Sequence, residues 1–398
     1  MSSSAAPDPI RLLSALAGET YKAERDGSAS NPDAQNFGVV KLNPSADAPP
    51  PTDHGVIEPF WYSFGLTHRR VQEGGWTHQV TSRELLVSKE VAGVNMRLTK
   101  GSFRELHWHL ADEWGLMLTG KARVTLFTPE GAMFVDDVSA GDIWLFPAGS
   151  PHSIQALGED GCEFQLVFNQ GDFSEESTLL LSDWLKHTPP EILRRNFGLA
   201  AEAIQNLPKG EPLYIFASNE PTKSLDEEIA EVAQHSSRPG MSYTFKASTM
   251  KPSWEGDAGC SKVIDSRNFP ASVNFAAVIV TIKPGCMREL HWHPNGSEWQ
   301  YWIQGKGRMT VFPGKEKART MDFSANDVGF VSTMAGHYIE NTGDEDLIFL
   351  ELFVTPEFRD ISLNRWLRAL PQQAVMAHTN LTREDLEKIP ASRGPVVR

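Results

Sequence analysis

Apolar residues in this chain come in short bursts. VNMRLT (94–99), GLMLTG (115–120), ARVTLF (122–127), DIWLF (142–146) and EFQLVF (163–168) are rich in β-branched, leucine and aromatic side chains. Gly, Pro and Asp separate them, the pattern of short strands joined by turns. Strands of this length with frequent turns predict a sandwich or barrel. The period then changes. TLLLSDWLKHT (178–188) and PPEILRRNFG (189–198) predict two helices, divided by Pro189 and Pro190. SLNRWLRAL (362–370) and the residues after Pro371 predict the same pair again. Residues 1–55 are polar and proline-rich and include Pro49-Pro50-Pro51, which predicts an arm packed on another surface rather than a folded domain.

The pattern occurs twice. RELHWH stands at Arg104–His109 and again at Arg288–His293, 184 residues on. Ser82-Arg83 matches Ser266-Arg267 at the same offset. GKARVTLF from Gly120 matches GKGRMTVF from Gly305, and GDIWLFPAGSPHSI from Gly141 matches NDVGFVSTMAGHYI from Asn326, both at 185. Phe173 matches Phe358 at 185, and Trp184-Leu185 matches Trp366-Leu367 at 182. Collinear matches of this kind mean two homologous halves laid end to end. The expected divisions are the arm at 1–55, a first half at 56–205 and a second at 206–398.

Composition removes several function classes. The 398 residues hold 37 Lys and Arg against 51 Asp and Glu, a net charge of −14 at pH 7. Nucleic acid and anionic membrane surfaces call for a basic patch, so neither is an expected partner. An anionic substrate needs a local positive charge here, from a metal or an Arg. No run of about 20 apolar residues is present, so no membrane-spanning helix is expected. MSSSAAPDPIRLLSALAG shows no charged segment followed by an apolar core, so no secretory leader is visible. A cytoplasmic location is expected, or a secreted one if a leader was removed upstream. Cys162, Cys260 and Cys286 are too few and scattered for a disulfide scaffold, and read as buried thiols.

The candidate chemistry lies in the repeated block. His107 and His109 are two apart, and on a strand such residues share a face. Glu113 follows, and His152 lies in a GSPHS turn. The second half repeats the set as His291, His293, Glu298 and His337. Three imidazoles and a carboxylate suit a divalent transition metal. Four protein ligands are one more than a catalytic zinc usually takes. They fit a six-coordinate metal with two open positions, and Mn, Fe, Co and Ni all accept such ligands. Arg104 and Arg288 precede the first ligand by three residues, which on a regular strand would point them the opposite way. A bulge or turn is needed for either to reach the pocket, where the planar guanidinium would pair with a carboxylate. Trp108 and Trp292 lie on the opposite strand face, as core or as a subunit contact.

The halves also differ. Between Phe173 and Trp184 the first half carries three residues more than the second, within FSEESTLLLSDW. A polar insertion with Glu175 and Glu176 reads either as a solvated helix N-cap or as a lid carrying a proton-transfer group. The second half has no such insertion and is expected to have no carboxylate at the lid position. It has instead Glu351 inside the apolar stretch IFLELFV, where Leu166 stands in the first half. A Glu there must face a polar partner or a pocket.

These residues resemble the bicupin oxalate decarboxylase family over nearly the whole chain. Gly101, His107, His109, Glu113 and Gly120 match the first cupin motif, and Gly141, Pro147, Gly149 and His152 open the second. Gly285, His291, His293, Glu298 and Gly305 match in the other half, with Gly336, His337 and Asn341, while Asn326 replaces a usual Gly. The resemblance implies a mainly β fold of two tandem cupin domains (double-stranded β-helix or jelly-roll barrels), each with a short C-terminal helical extension. It implies a manganese- and dioxygen-dependent carboxy-lyase with two Mn(2+) per chain, dioxygen as co-substrate, and cleavage of oxalate to formate and carbon dioxide. Residues 173–179 resemble the family's S-E-N-S-T lid. Glu175 then takes and returns the proton in the first, catalytic domain, and Glu176 replaces the usual Asn. Arg104 and Arg288 become substrate-binding residues. Glu351 faces the second metal, where it could act as an acid or base. A homo-oligomer, trimer or hexamer, is also implied. The alternatives are oxalate oxidase, giving carbon dioxide and hydrogen peroxide, a non-catalytic bicupin binding or storage protein, and an iron dioxygenase.

Overall fold

The computed structural model describes residues 37–390 and 394–398. The first 36 residues of the expected arm lie outside the described residues. In the first half the strands Glu113–Phe127 and His152–Phe168 run antiparallel side by side. Each is far longer than the ordinary strand of about five or six residues, because each bends from one layer of a sandwich into the other. The bend falls where the register shifts, around Met117–Lys121. Gly120 has φ 77° there, and a Cβ on it would lie 2.0 Å from the Gly161 carbonyl oxygen. An 11-stranded sheet thus folds over on itself.

In the second half the same path is broken. Glu298–Gln304 and Lys306–Gly314 replace one long strand, and Gly336–Asn341 and Leu347–Phe353 replace the other. The layers are therefore separate sheets of seven and six strands. Trp302 fills the space between them, stacked on Phe323 at 4.5 Å and on Phe349 at 5.2 Å. Asn326 has φ 72° where Gly141 has 85°. Asn tolerates the left-handed region, so its departure from the motif leaves the turn intact. The short helices Leu181–Lys186, Pro190–Phe197 and Ala201–Gln205 follow the first sandwich. Leu363–Ala369, Gln372–Thr379 and Arg383–Lys388 follow the second. The molecule is thus two tandem jelly-roll barrels with helical extensions.

Three short strands pair across the division expected at 205/206. Trp61–Ser63 pairs with Asp327–Val331 of the second barrel. Ile215–Phe216 pairs with Arg104 and Phe103, and Thr244–Phe245 pairs with Trp144 and Ile143, all in the first barrel. Each covers backbone groups that an open sheet edge would leave unpaired. The helices Phe37–Leu42 and Pro44–Asp47 rest on the second barrel, where the Ser45 N–H donates to Asp322 Oδ2 at 2.7 Å. The larger apolar core is shared by both halves and joins Trp114, Trp144 and Phe164 to Trp299, Tyr301 and Phe330. Cys162 and Cys286 are buried free thiols, and Cys260 is half-buried.

Asp112 ties the halves at one point. Its Oδ1 accepts from the Ala148 N–H at 2.7 Å, and its Oδ2 accepts from Asn169 at 2.8 Å and from Asn274, in the second half, at 2.6 Å. Asp112→Ala removes a buried acceptor and leaves three donors without it. Urea unfolding of the variant should show a loss of about 2–4 kcal/mol. Unchanged stability would mean that the shared apolar core alone sets the joint.

Candidate metal centres

The strand Phe103–Trp108 carries the first half of the site. Its pairing with His152–Phe168 shifts register between Arg104 and His107. Met287–Trp292 shows the same shift between Arg288 and His291. This is the irregularity that the odd spacing demands. Arg104, Glu105, His107 and His109 are all buried, while Leu106 points out at 47% exposure. Trp108 is on the outer side and meets Trp184 edge-on at 5.6 Å, and Trp292 meets Trp366 in the same way at 5.7 Å.

The ligand atoms of His107, His109, Glu113 and His152 lie within 4.8 Å of one another, and so do those of His291, His293, Glu298 and His337. All eight residues are buried. Every ring is turned by a backbone carbonyl. His107 Nδ1 lies 2.6 Å from the Glu105 oxygen, His109 Nδ1 2.8 Å from Ala111 and His152 Nδ1 2.8 Å from Ser150. In the second centre the acceptors are Glu289 at 2.6 Å, Arg359 at 2.9 Å and Ala335 at 3.1 Å. With Nδ1–H donated outward, each Nε2 presents a lone pair inward. His152, His291, His293 and His337 Nε2 and Glu298 Oε2 are buried with no hydrogen-bond partner. Orphaned buried acceptors are costly unless something binds them. A divalent cation satisfies the whole set, so both centres fit a metal.

Electrostatics favour the ligand forms. Burial, with the charge of Arg104, holds His107 well below the ordinary imidazole value. Burial with Arg288 does the same to His291. Burial opposes ionisation of Glu113 and Glu298, but the neighbouring histidines outweigh it and hold both carboxyls below the usual range.

The groups behind the ligands differ by a reciprocal exchange. Trp144 Nε1 donates to Glu113 Oε1 at 3.2 Å. In the second centre Gln300 Nε2 donates to Glu298 Oε1 at 2.6 Å, while Gln300 Oε1 accepts from Trp302 at 3.1 Å. Gly115 pairs across the strands with Trp144, and Gln300 pairs with Gly329. These are the same two positions at the 185-residue offset. A Cβ on Gly115 would lie 2.1 Å from the Trp144 ring, and one on Gly329 would lie 2.5 Å from Gln300 Oε1. One slot is filled from opposite strands, so each large residue requires its glycine.

The two arginines differ more. Arg288 Nε is 3.5 Å from Glu351 Oε1, and Nη2 is 3.1 Å from Asp360 Oδ2. Glu351 is fully buried, its Oε2 has no partner, and burial beside Glu298 pushes its pKa up. Arg104 has no ion-pair partner among the described residues. Its guanidinium lies 3.9 Å over the Tyr214 ring, and Nη1 is 3.4 Å from the Tyr214 carbonyl. The second half was expected to lack a carboxylate at the lid position. That is corrected by Asp360, which stands at Glu175's position, 185 residues on, and reaches Arg288 because Glu176, Ser177 and Thr178 have no counterpart.

In the first half Glu175–Ser177 form a one-turn helix, capped by the Ser174 hydroxyl and followed by Thr178. Phe173 anchors it, stacked on Phe168 at 3.7 Å and edge-on to His109 at 5.7 Å. Glu175 turns to Thr77 and to the Tyr214 hydroxyl. Tyr214, Asp360 and Glu105 are contributions that the sequence reading missed. Glu105 accepts from the Ser182 N–H at 2.6 Å and the Tyr214 N–H at 2.9 Å, so the Glu of RELHWH pins both covering segments. Its repetition as Glu289, which binds Asn364 at 3.2 Å, was the available signal.

Two jelly-roll barrels, each enclosing a buried three-histidine, one-carboxylate cluster, define a two-domain metal-binding cupin. The cupin family profile matches residues 65–205 and 245–387. The oxalate decarboxylase OxdC of Bacillus subtilis (strain 168) is 48% identical over 364 residues, 92% of this chain and 93% of that protein. A probable oxalate decarboxylase of Arthroderma benhamiae is 36% identical over 351 residues, 87% of this chain and 85% of that one. The structure of the B. subtilis decarboxylase at pH 4.6 superposes with a TM-score of 0.89 at 45% identity, covering 94% of this chain and 97% of the other. The chain belongs to the cupin family and, within it, to the bicupin oxalate decarboxylases.

His107→Ala should remove the metal of the first centre and His291→Ala that of the second, each halving the metal per chain by elemental analysis. Each should also lower Tm, since a metal held only by the folded state stabilises it. Full metal content in either variant would contradict this ligand set.

Proposed function

We propose that this protein cleaves oxalate to formate and carbon dioxide at its first centre. The observation that carries the reading is the inequality of the two arginines. Arg288 is compensated by Glu351 and Asp360, whereas Arg104 has no carboxylate among the described residues. A substrate carboxylate can supply the missing charge at the first centre and would meet repulsion at the second.

The metal is Mn(2+), two per chain. A B. subtilis oxalate decarboxylase structure studied for its Mn(II) centres superposes with a TM-score of 0.90 at 44% identity, which supports that choice. When bound, it supplies a Lewis-acidic template for oxalate and, with dioxygen, one-electron chemistry. Arg104 binds the oxalate carboxylate that does not bind the metal and holds it by its planar fork. Glu175 takes the proton of the oxalate monoanion. After carbon dioxide leaves, Glu175 returns that proton to carbon, which makes formate. The turn Glu175–Ser177 and Phe173 keep water from the fragment during this step. Burial and the Glu175 charge push the Tyr214 phenol well up, so Tyr214 stays a neutral donor. At the second centre Glu351 is the candidate acid or base, but Asp360 on Arg288 keeps an anion out.

The chain works as a homo-oligomer, trimer or hexamer, in the cytoplasm. Both barrels expose apolar side chains at matching positions, Leu106, Phe127 and Trp184 in one and Leu290, Phe312 and Trp366 in the other. Such a repeated face supports head-to-tail contact between copies. Among the described residues no helix is long and apolar enough to cross a membrane.

Glu175→Gln keeps the shape and removes the titrating group. Formate per oxalate should fall by about 10²-fold or more, and peroxide per oxalate should rise, measured in one reaction with metal content checked. Parent-level formate would refute the role of Glu175. Arg104→Lys should lose at least about tenfold in kcat/KM, while Arg288→Lys should change it much less. The reverse ranking in steady-state assays would make the second centre catalytic.

A further inference from the structure

Glu175 is held from one side by a single strand. Thr77 and Gln79 lie two apart on Gly75–Val80 and therefore share a face. The Thr77 hydroxyl donates to Glu175 Oε1 at 2.5 Å, and Gln79 Oε1 lies 3.4 Å from the Glu175 N–H. Thr77 is fully buried, so the strand side of this bond is shielded from water. A second hydroxyl, that of Tyr214, meets the same carboxylate. Tyr214 is itself rigid. Arg70 and Arg104 lie 4.2 and 3.9 Å from its ring centroid, Glu105 holds its N–H at 2.9 Å, and its φ is 42°.

The second half shows what happens without the three extra residues. Ser261 occupies Thr77's position at the 184-residue offset, with Gly259 at φ 150° matching Gly75 at 151°. Ser261 and Asp360 line one cavity of about 220 Å³, yet Asp360 binds Arg288. Pro395 replaces Tyr214 in the strap beside the strand: Val396 pairs with Arg288 as Ile215 pairs with Arg104. Proline offers no hydroxyl. The longer turn of the first half carries its carboxylate past the arginine to Thr77 and Tyr214, and leaves Arg104 open.

We infer that Thr77 is a positioning residue for oxalate decarboxylation, a hydroxyl latch that, with Tyr214, holds Glu175 closed over the first centre and away from an ion pair with Arg104. This rests on the assignment of Glu175 as the proton carrier. Thr77 touches neither metal ligand nor arginine in the hydrogen bonds described, so it acts through Glu175 alone. Losing one hydrogen bond to a half-buried carboxylate multiplies the open population of the turn about tenfold.

The test uses the full-length, metal-loaded protein. Deuterium uptake of the peptide spanning 173–180 is measured beside formate and peroxide per oxalate. Thr77→Val removes the donor at nearly constant size. It should speed uptake about tenfold and raise the peroxide share, with metal content unchanged. Thr77→Ser restores the donor and should stay within about twofold of the parent in both readouts. Should the valine variant fail to load metal, Thr77→Ala gives the same readout. Parent-like uptake and product ratio in Thr77→Val, with formate lost in Glu175→Gln, would overturn the latch and leave Glu175 in its role. Parent-level formate in Glu175→Gln would overturn that role, and parent-like uptake in Thr77→Val would then overturn the latch as well. Equal disturbance in Thr77→Ser and Thr77→Val would assign the effect to packing and also overturn it.

Discussion

Six imidazoles, each bound through Nδ1 to a backbone carbonyl, constrain the rest of this molecule. Those bonds fix the tautomer and aim six Nε2 lone pairs, with two carboxylates, into two buried spaces. Acceptors so placed repel one another and are costly until a cation joins them. The register shifts before His107 and His291 follow from the same demand, since a regular strand could not send both the arginine and the histidines inward. The barrels supply what the clusters need: long paired strands to hold the rings and a dry core behind them. Phe168 and Phe353 each touch a ligand ring, at 5.2 and 4.6 Å.

Duplication gave two centres with the same inner ligands, and their neighbours then diverged. The carboxylate ligand is oriented by a tryptophan in one half and by a glutamine in the other, from opposite strands. The repeated arginine meets two carboxylates in one half and an aromatic face in the other. An anion is drawn to a cation whose charge is not already matched. Net charge of −14 makes that local arrangement decisive, because the protein as a whole repels oxalate.

The repeat, the eight ligands and the need for a bulge were legible because each is written locally: in spacing, in a duplicated hexapeptide and in strand parity. The β bursts were legible too, although GLMLTG and ARVTLF prove to be one bent strand. What stayed hidden depends on contacts between distant segments. Tyr214 comes from a stretch outside both motifs and is brought to Arg104 by the short strand that follows it. Asp360 could be matched to Glu175 only once the gap was placed after that residue. The exchange of Trp144 with Gly115 against Gln300 with Gly329 shows in neither strand alone, only in the pairing. The crossing of Trp61–Ser63 into the second barrel answers an edge-pairing need that leaves no periodic signal.

The central claim is that only the centre whose arginine lacks an internal carboxylate partner turns oxalate over. It is tested most directly with proteins that keep one metal each. Formate is measured per bound manganese in His291→Ala, which retains the first centre, and in His107→Ala, which retains the second. The account predicts that the first makes formate at close to the parent rate per first-centre metal and that the second makes none. Formate from the protein holding only the second centre, at a rate comparable to the first, would contradict it.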